Sequence, residues 1–272
     1  MNTPARFWRD PAMPHVESRR ACDSRACYRP HAHPTFSIGA VDAGKSLFTG
    51  TPNGRATLLP GTLVLVPPHR VHACNPAPDC TWSYQMLHLD AQWMRSALRD
   101  DTRTSRLCGD DAPVRLIQDA GVYDAFCALN TLLFSHAHAE EKNAALIEFL
   151  GDCDHDAGQA IDRPSDAARH RQRIAPLLNA MDEGSSALWL SLDEMAERVG
   201  LSPYQTIRAF RAATGLTPHA WQLNARINLA RAGLREGQPL SELAYRLRFA
   251  DQSHFNRVFK SLTAAAPGHY RR

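Results

Sequence analysis

The sequence predicts an α+β multidomain protein, with an N-terminal β-barrel and a helical pair in front of an all-α domain. Within the all-α domain, a long helix is expected to join two helix-turn-helix units. Three observations support this fold class: strand-length apolar runs bounded by turn residues, a duplicated helical segment near the C-terminus, and an unequal distribution of charge. Together they separate a strand-rich first half from a helical, basic second half.

The size and composition are those of a globular protein. The 272 residues are enough for two domains of roughly 100 to 200 residues each. Apolar residues make up 44% and charged residues 22%, which excludes wholesale disorder and a fibrous chain. Seven cysteines without a C-x-x-C pair argue against a disulfide scaffold. No apolar stretch suits a signal peptide or a bilayer, so we expect a cytoplasmic protein that does not contact a membrane.

The strand signal extends from Phe36 to about Trp93. Its runs are FSIGAV, AGKSLFTG, PNGRATLLPG, TLVLVPP and TWSYQMLHL, and they are bounded by Gly, Pro and Asn. Regular spacing of such runs predicts a small barrel or sandwich. We therefore assign residues 1–95 to a barrel domain whose N-terminal arm is residues 1–20.

Helical periodicity replaces the strand pattern after Asp90. In VYDAFCALNTLLFSHAHAEEKNAALIEFL the apolar residues recur at three-to-four spacing, which predicts a helical pair within residues 96–150. The apolar faces of this pair form either a homodimer contact or a cover for the barrel of the same chain. The polar, Asp-rich segment that follows predicts an interdomain linker at residues 151–168.

Charge divides the chain near Pro164. Before this residue 16 Lys and Arg residues accompany 19 Asp and Glu residues, and after it 15 accompany 9. The net charges of −3 and +6 predict a basic partner-binding module joined to a slightly acidic one.

The basic half contains an internal repeat. LDEMAERVGLSPYQTIRAFRAATGLTPHAW, from Leu192, matches LSELAYRLRFADQSHFNRVFKSLTAAAPGHY, from Leu240, at an offset of 48 and then 49 residues. Each copy predicts helix, tight turn, helix, at about 191–212 and 240–262. An S-x-x-E capping box at Ser191 and a Ser202-Pro203 pair mark helix starts in the first copy.

The second helix of each copy, which we call a reading helix, carries a row of polar residues. These residues are Tyr204, Gln205, Arg208 and Arg211 in the first helix, and Gln252, Ser253, His254, Asn256, Arg257 and Lys260 in the second. Arg, Gln and Asn make bidentate contacts to purine edges, whereas Lys and Ser commonly contact phosphate. The helix between the copies spans about 27 Å, a length that suits two successive major grooves roughly 34 Å apart. The alternative is the solvated surface of a protein-interaction domain.

With these two copies, residues 169–272 resemble the DNA-binding domain of the AraC/XylS family of bacterial transcription regulators. The chain departs from that family at Arg248 and Ala264, where glycine is usual, and at Ile207, where a polar reader is common. The resemblance implies a protein that is not an enzyme and that binds double-stranded DNA in a sequence-specific manner. It also implies contact with RNA polymerase, as an activator makes, although activation and repression both stay open.

Two segments of the first half, YRPHAHPTFSIG and GTLVLVPPHRVHACNP, resemble the two motifs of the cupin barrel. The first segment lacks the acidic metal ligand that the cupin pattern places near Ser37. AraC-type regulators carry such a barrel as a pocket for a small effector. The runs FSIG, HACNP and WSYQML resemble a subgroup linked to amino-acid or metabolite efflux, which points to an amino-acid-like effector.

Nine residues are candidates for this pocket. They are Glu17, Arg19, Arg29, His31, His33, His72, Asn75, Trp82 and Tyr84. The histidines bind Zn²⁺ or Fe²⁺ with Cys27 or Cys74, or hydrogen-bond an organic effector, or have a purely structural role. We favour the organic effector, without a cofactor, and either arginine would suit its carboxylate.

Three other functions stay open at this point. A metal-sensing regulator would use His31, His33 and His72, and a metal-dependent cupin enzyme would carry the DNA-binding domain as a tail. The third is a constitutive architectural DNA-binding protein.

Overall fold

Two antiparallel sheets form the N-terminal barrel of the computed structural model, which describes residues 5–50, 54–98, 107, 112–156, 158–161, 165–182 and 186–271. The strands are β1 (Arg6–Trp8), β2 (Val16–Ser24), β3 (Phe36–Gly44), β4 (Ser46–Gly50), β5 (Arg55–Leu58), β6 (Leu63–Val66), β7 (His72–Pro76), β8 (Trp82–Leu89), β9 (Arg115–Ile117) and β10 (Gln159–Ala160). The large sheet has the order β1-β2-β8-β3-β6-β9-β10, and the small sheet has the order β5-β4-β7. The predicted barrel is confirmed.

Strand β8 has two apolar faces because both sides of the large sheet are covered. Trp82 and Tyr84 belong to the core between the two sheets. Leu87 and Leu89, which have the opposite parity, pack in the core under the helical pair. Alternation along this strand therefore directs its even-numbered side chains into the barrel.

The N-terminal domain also contains three helices: α1 (Ala91–Ala97), α2 (Ala120–Leu133) and α3 (Ala139–Asp156). Phe126 of α2 and Phe149 of α3 pack with Ile38 and Leu87 of the large sheet in a single core. The apolar faces of the predicted helical pair thus cover the barrel of the same chain.

The interval predicted as a linker contains more regular structure than the sequence indicated. Helix α3 continues to Asp156, β10 pairs with β9, and α4 begins at Ser165.

The C-terminal domain is helical throughout the described residues. Its helices are α4 (Ser165–Asp182), α5 (Leu192–Arg198), α6 (Pro203–Thr214), α7 (Pro218–Arg235), α8 (Leu240–Arg246), α9 (Gln252–Thr263) and α10 (Pro267–Tyr270), with a 3₁₀ turn at Ser186–Trp189. The predicted capping box at Ser191 is present, and a second one joins Ser202 to Gln205. Each helix-turn-helix unit has its own apolar core, and α7 joins the two units as predicted.

No helix in the described part of the chain has both the length and the apolar character needed to cross a bilayer.

Arg248 and Ala264, which stand where the AraC/XylS family usually has glycine, lie in turns with the left-handed backbone that favours glycine. Arg248 has φ 51° and Ala264, which follows α9, has φ 54°. Such a backbone costs a residue with a Cβ about 1 to 2 kcal/mol. The guanidinium of Arg248 lies 4.7 Å from the centre of the Trp189 ring, a cation–π contact that offsets part of this cost.

Candidate functional site

The reading helices α6 and α9 expose most of the residues predicted to contact DNA. The exposed residues are Tyr204, Gln205, Arg208, Arg211, Gln252, Ser253, Arg257 and Lys260. His254 and Asn256 are half-buried: the His254 ring packs edge-on against Phe249, and Asn256 Oδ1 is buried without a hydrogen bond among the described residues. Base contact by these two side chains stays a prediction.

A cavity lies where the barrel meets the C-terminal domain. Alternate residues of β8 (Trp82, Tyr84, Met86 and His88) and of β2 (Glu17 and Arg19) line it, because side chains two apart on a strand share one face. The volume of the cavity is about 50 Å³.

Seven of the nine predicted pocket residues line this cavity. They are Glu17, Arg19, His31, His33, His72, Trp82 and Tyr84. Arg29 and Asn75 do not: Arg29 is exposed, and its backbone N–H donates to the Ser261 carbonyl at 2.9 Å. The Asn75 side chain instead bonds the backbone N–H and carbonyl of Tyr28, at 2.6 and 3.1 Å, which positions Tyr28 at the cavity.

Cys74, which the sequence suggested only as a metal ligand, also lines the cavity. Eight further lining residues were not predicted: Phe7, Tyr28, Met86 and His88 of the barrel, and Arg231, Leu262, Thr263 and Tyr270 of the C-terminal domain. The period-2 pattern of WSYQMLHL contains the signal for Met86 and His88, which share a face with Trp82 and Tyr84. The four residues of the C-terminal domain carry no such signal, because only domain docking brings them here.

Two buried donors in the lining have no hydrogen-bond partner among the described residues. They are Arg19 Nε and Trp82 Nε1. Arg19 Nη1 donates to the Thr263 carbonyl at 2.8 Å, and its guanidinium lies 5.7 Å and 5.6 Å from the ring centres of Tyr28 and Tyr84. An unpaired buried donor costs about 1 to 3 kcal/mol. A ligand with acceptor oxygens would remove this cost.

Glu17 ties the barrel to the C-terminal domain. It is 3% exposed, accepts from Arg9 Nε at 2.7 Å and from the Tyr270 hydroxyl at 3.0 Å, and lies 3.5 Å from Arg231 Nη2. Burial raises the pKa of a carboxyl, but the positive charges of Arg231 and Arg9 outweigh it and lower the pKa of Glu17 to about 2. The carboxylate is therefore charged across the physiological range.

Further contacts join the same two domains. Asn224 of α7 donates to the Ala32 carbonyl at 2.7 Å and accepts from the Ala32 N–H at 3.1 Å, and Asn228 donates to the same carbonyl at 3.0 Å. Ala32 lies between His31 and His33, so α7 holds the segment that carries these two cavity histidines.

The three predicted histidines converge at one end of the cavity. One ring nitrogen from each of His31, His33 and His72 lies within 4.8 Å of the others. Burial lowers the pKa of all three rings, and neighbouring His72 and His88 lower those of His31 and His33 further. Burial, with the charge of Arg231, lowers the pKa of His88 to about 3. All four imidazoles are therefore neutral near pH 7.

The cysteines beside the histidines differ in accessibility. Cys74 is buried in the barrel, and burial raises the pKa of its thiol to about 12, whereas Cys27 is exposed. We expect brief iodoacetamide labelling at pH 8, read by peptide mass spectrometry, to modify Cys27, Cys22 and Cys80 but not Cys74, because only an accessible thiolate reacts. Labelling of Cys74 at the rate of Cys27 would contradict this placement.

Comparisons with known proteins match both halves of the chain. Residues 14–150 match the family model described as an AraC-like ligand binding domain. Residues 195–272 match a model described as a helix-turn-helix domain.

Individual relatives and solved structures agree with these matches. The HTH-type transcriptional regulator YbfI of Bacillus subtilis is 23% identical over 250 residues, which cover 90% of this chain and 87% of YbfI. The Ada activator and DNA repair enzyme of Escherichia coli is 28% identical over 95 residues, and the chain spans only 27% of its length. The fatty-acid-bound structure of ToxT from Vibrio cholerae superposes with a TM-score of 0.58 at 14% identity, covering 99% of this chain and 95% of ToxT.

Proposed function

Since the chain belongs to the AraC family of DNA-binding transcriptional regulators, with an effector-binding domain at its N-terminus, we propose that its effector is a small organic anion. The effector binds in the cavity between the barrel and the C-terminal domain. The observation that carries this proposal is the pair of unpartnered donors, Arg19 Nε and Trp82 Nε1, in a cavity that both domains line. A carboxylate offers acceptors to both, and its charge suits a guanidinium.

The size of the cavity favours a ligand on the scale of a small amino acid. A cavity of about 50 Å³ accommodates a carboxylate with a short side chain. Longer anions would have to displace Phe7 or Leu262, which line the cavity from the arm and from α9. The solved structure of ToxT contains a fatty acid, which is a larger carboxylate. We therefore propose that the two ligands share only the charged carboxylate group.

Occupancy of the cavity would change how the two domains dock. The Arg19 side chain belongs to the barrel, yet it already holds the Thr263 carbonyl beside the end of reading helix α9. An anion that recruits Arg19 competes with this bond or strengthens it, and either effect shifts the population of docked molecules. This is how an effector would alter DNA binding.

The charge of Arg19 provides the test. We expect Arg19→Gln to abolish the thermal stabilisation that a matching carboxylate gives the wild-type protein, because a ligand stabilises only the state that binds it. A thermal-shift screen of amino acids and short organic acids, followed by calorimetry on the best compound, measures this effect.

The matched control is Arg20→Gln on the same strand. Arg20 has the opposite parity, and its guanidinium lies 4.6 Å from the centre of the Phe134 ring, on the helical side of the sheet. This variant should keep the full ligand response. Equal binding by both variants, or a screen in which only uncharged compounds bind, would overturn the anion proposal.

The comparisons do not test four other functional expectations directly. Binding to RNA polymerase, homodimer formation, cytoplasmic location and the absence of enzymatic activity stay predictions. The repair activity in the name of Ada is not carried over, because the match covers only 35% of this chain.

A further inference from the structure

An arginine occupies a tight turn in which the other copy of the repeat has glycine. Arg248 lies between α8 and α9, and its counterpart between α5 and α6, at the offset of 48 residues, is Gly200. The two turns form corresponding backbone hydrogen bonds and have left-handed backbones, with φ 64° at Gly200 and 51° at Arg248. Glycine adopts this backbone freely, whereas a residue with a Cβ is disfavoured there. A residue held in a costly backbone conformation points to a role for its side chain.

The guanidinium of Arg248 shares one indole with a second arginine. It lies 4.7 Å from the centre of the Trp189 ring, and the guanidinium of Arg226 lies 4.5 Å from the same centre. Trp189 precedes α5 and packs against the apolar cores of both helix-turn-helix units, while Arg226 lies near the middle of α7, which joins them. These three side chains form a cationic cluster between the two units.

No carboxylate in the described part of the chain forms an ion pair with either arginine of this cluster. Burial, and then the charge of Arg248, lower the pKa of Arg226. Arg226 Nη2 donates to the Leu188 carbonyl at 3.0 Å, which fixes this half-buried guanidinium beside the indole, and its Nε is buried without a hydrogen bond among the described residues. Arg248 is exposed. Two neighbouring guanidinium groups without a counter-ion attract an anion.

We infer that Arg226, Trp189 and Arg248 bind a backbone phosphate of the operator between the two major grooves that the reading helices enter. Arg248 lies four residues before Gln252, the first residue of reading helix α9, so it is beside the end of a helix that approaches the bases. With reading helices in successive major grooves, the backbones that flank the intervening minor groove lie opposite the space between the units. Guanidinium groups match phosphate in charge and in geometry.

A phosphate at this cluster positions the protein and does not read sequence. Arg248 belongs to the second helix-turn-helix unit, whereas Trp189 precedes the first helix of the first unit. A phosphate held between them would therefore fix both units on the duplex in one register. The contact should contribute equally to all DNA sequences.

The variant Arg248→Gly tests the inference, because it removes the charge and introduces the residue that the first turn has. Gel-shift titrations of the full-length protein use an operator selected from random duplexes and an unrelated duplex, between about 50 and 200 mM salt. The slope of log K against log salt should fall by about 1, with an equal loss of affinity on both duplexes that is largest at low salt. The melting temperature should not fall, because glycine suits the left-handed backbone.

The matched control is Ala264→Gly. It makes the same kind of backbone change at a second left-handed residue, in the turn after α9, without removing a charge. Its salt slope should equal that of the wild type. Arg248→Lys should keep most of the slope because it keeps the charge, whereas Arg248→Gln keeps the Cβ but should lose the slope as the glycine variant does.

Wild-type salt slopes in both Arg248→Gly and Arg248→Gln would refute the inference and leave Arg248 as a structural contact between the two units. A loss of affinity confined to the selected operator would also refute it, because Arg248 would then read bases. The titrations contain no organic acid, so their outcome is independent of the proposed effector.

Discussion

A Glu17→Gln substitution is expected to lower the free energy of unfolding by about 3 to 5 kcal/mol. The amide keeps the shape of the side chain but leaves half-buried Arg231 without its counter-charge at 3.5 Å, and removing the buried carboxylate of such an ion pair has a cost of this size. The loss falls on the domain junction, since Glu17 lies in β2 and its partners Arg231 and Tyr270 lie in the C-terminal domain. Urea unfolding measures the stability, and X-ray scattering measures the separation of the domains.

The pH dependence of the free energy of unfolding shows whether the charge of Glu17 is the cause of this stabilisation. The pKa of Glu17 in the folded protein is about 2, below the ordinary value of 4.5. Its contribution, about 3 kcal/mol by linkage, is therefore complete above pH 4.5 and is lost as the pH falls towards 2. The Gln variant should lack this part of the acid transition.

The control for this prediction is Glu148→Gln, which alters an exposed glutamate of α3 and should change stability by less than about 0.5 kcal/mol. If Glu17→Gln matched this control in urea and in acid, the carboxylate would not hold the domains together.

The sequence predicted those parts of the fold that follow from local patterns. The duplicated copies gave both helix-turn-helix units, because their apolar spacing and the cap at Ser191 are local signals. Strand-length runs gave the barrel for the same reason. At 151–168, where the polar composition predicts a linker, the described residues include the end of α3, strand β10 and the start of α4. A polar composition is common to linkers and to polar helices, so it does not reveal these elements.

The sequence predicted cavity residues in the barrel but none in the C-terminal domain. Seven barrel residues of the cavity lie in motifs or alternate along strands, so their types and spacing identified them. Arg231 and Tyr270 are separated from Glu17 by more than 200 residues, and no periodicity connects them. A buried glutamate needs a partner, but the sequence could not show that α7 supplies it. Arg29 and Asn75 do not line the cavity, because proximity to a motif in the sequence does not fix the direction of a side chain.

Alanine at Arg208 or Arg257 should weaken binding to a specific operator by about 1 to 3 kcal/mol each, that is, by a factor of roughly 5 to 150. Both side chains are exposed on reading helices whose opposite faces bury Phe210 and Phe259, so the fold should survive. A base-contacting arginine loses a bidentate bond to guanine, and the discrimination against other bases at that position should fall with it. Gel-shift titration of wild-type and single-base-changed operators measures both quantities.

The effect of removing a positive charge must be distinguished from the loss of base recognition. Arg173→Ala removes an exposed positive charge from α4 of the same domain, and it should have a small effect that is equal on all DNA sequences. If Lys260 contacts phosphate, Lys260→Ala should weaken binding to all sequences and reduce the slope of log K against log salt by about 1. The assignment of α6 and α9 as reading helices requires the two arginine variants to lose sequence discrimination while Arg173→Ala keeps it. If all three behaved alike, the helices would supply only electrostatic attraction, and the bases would have to be read by another part of the domain.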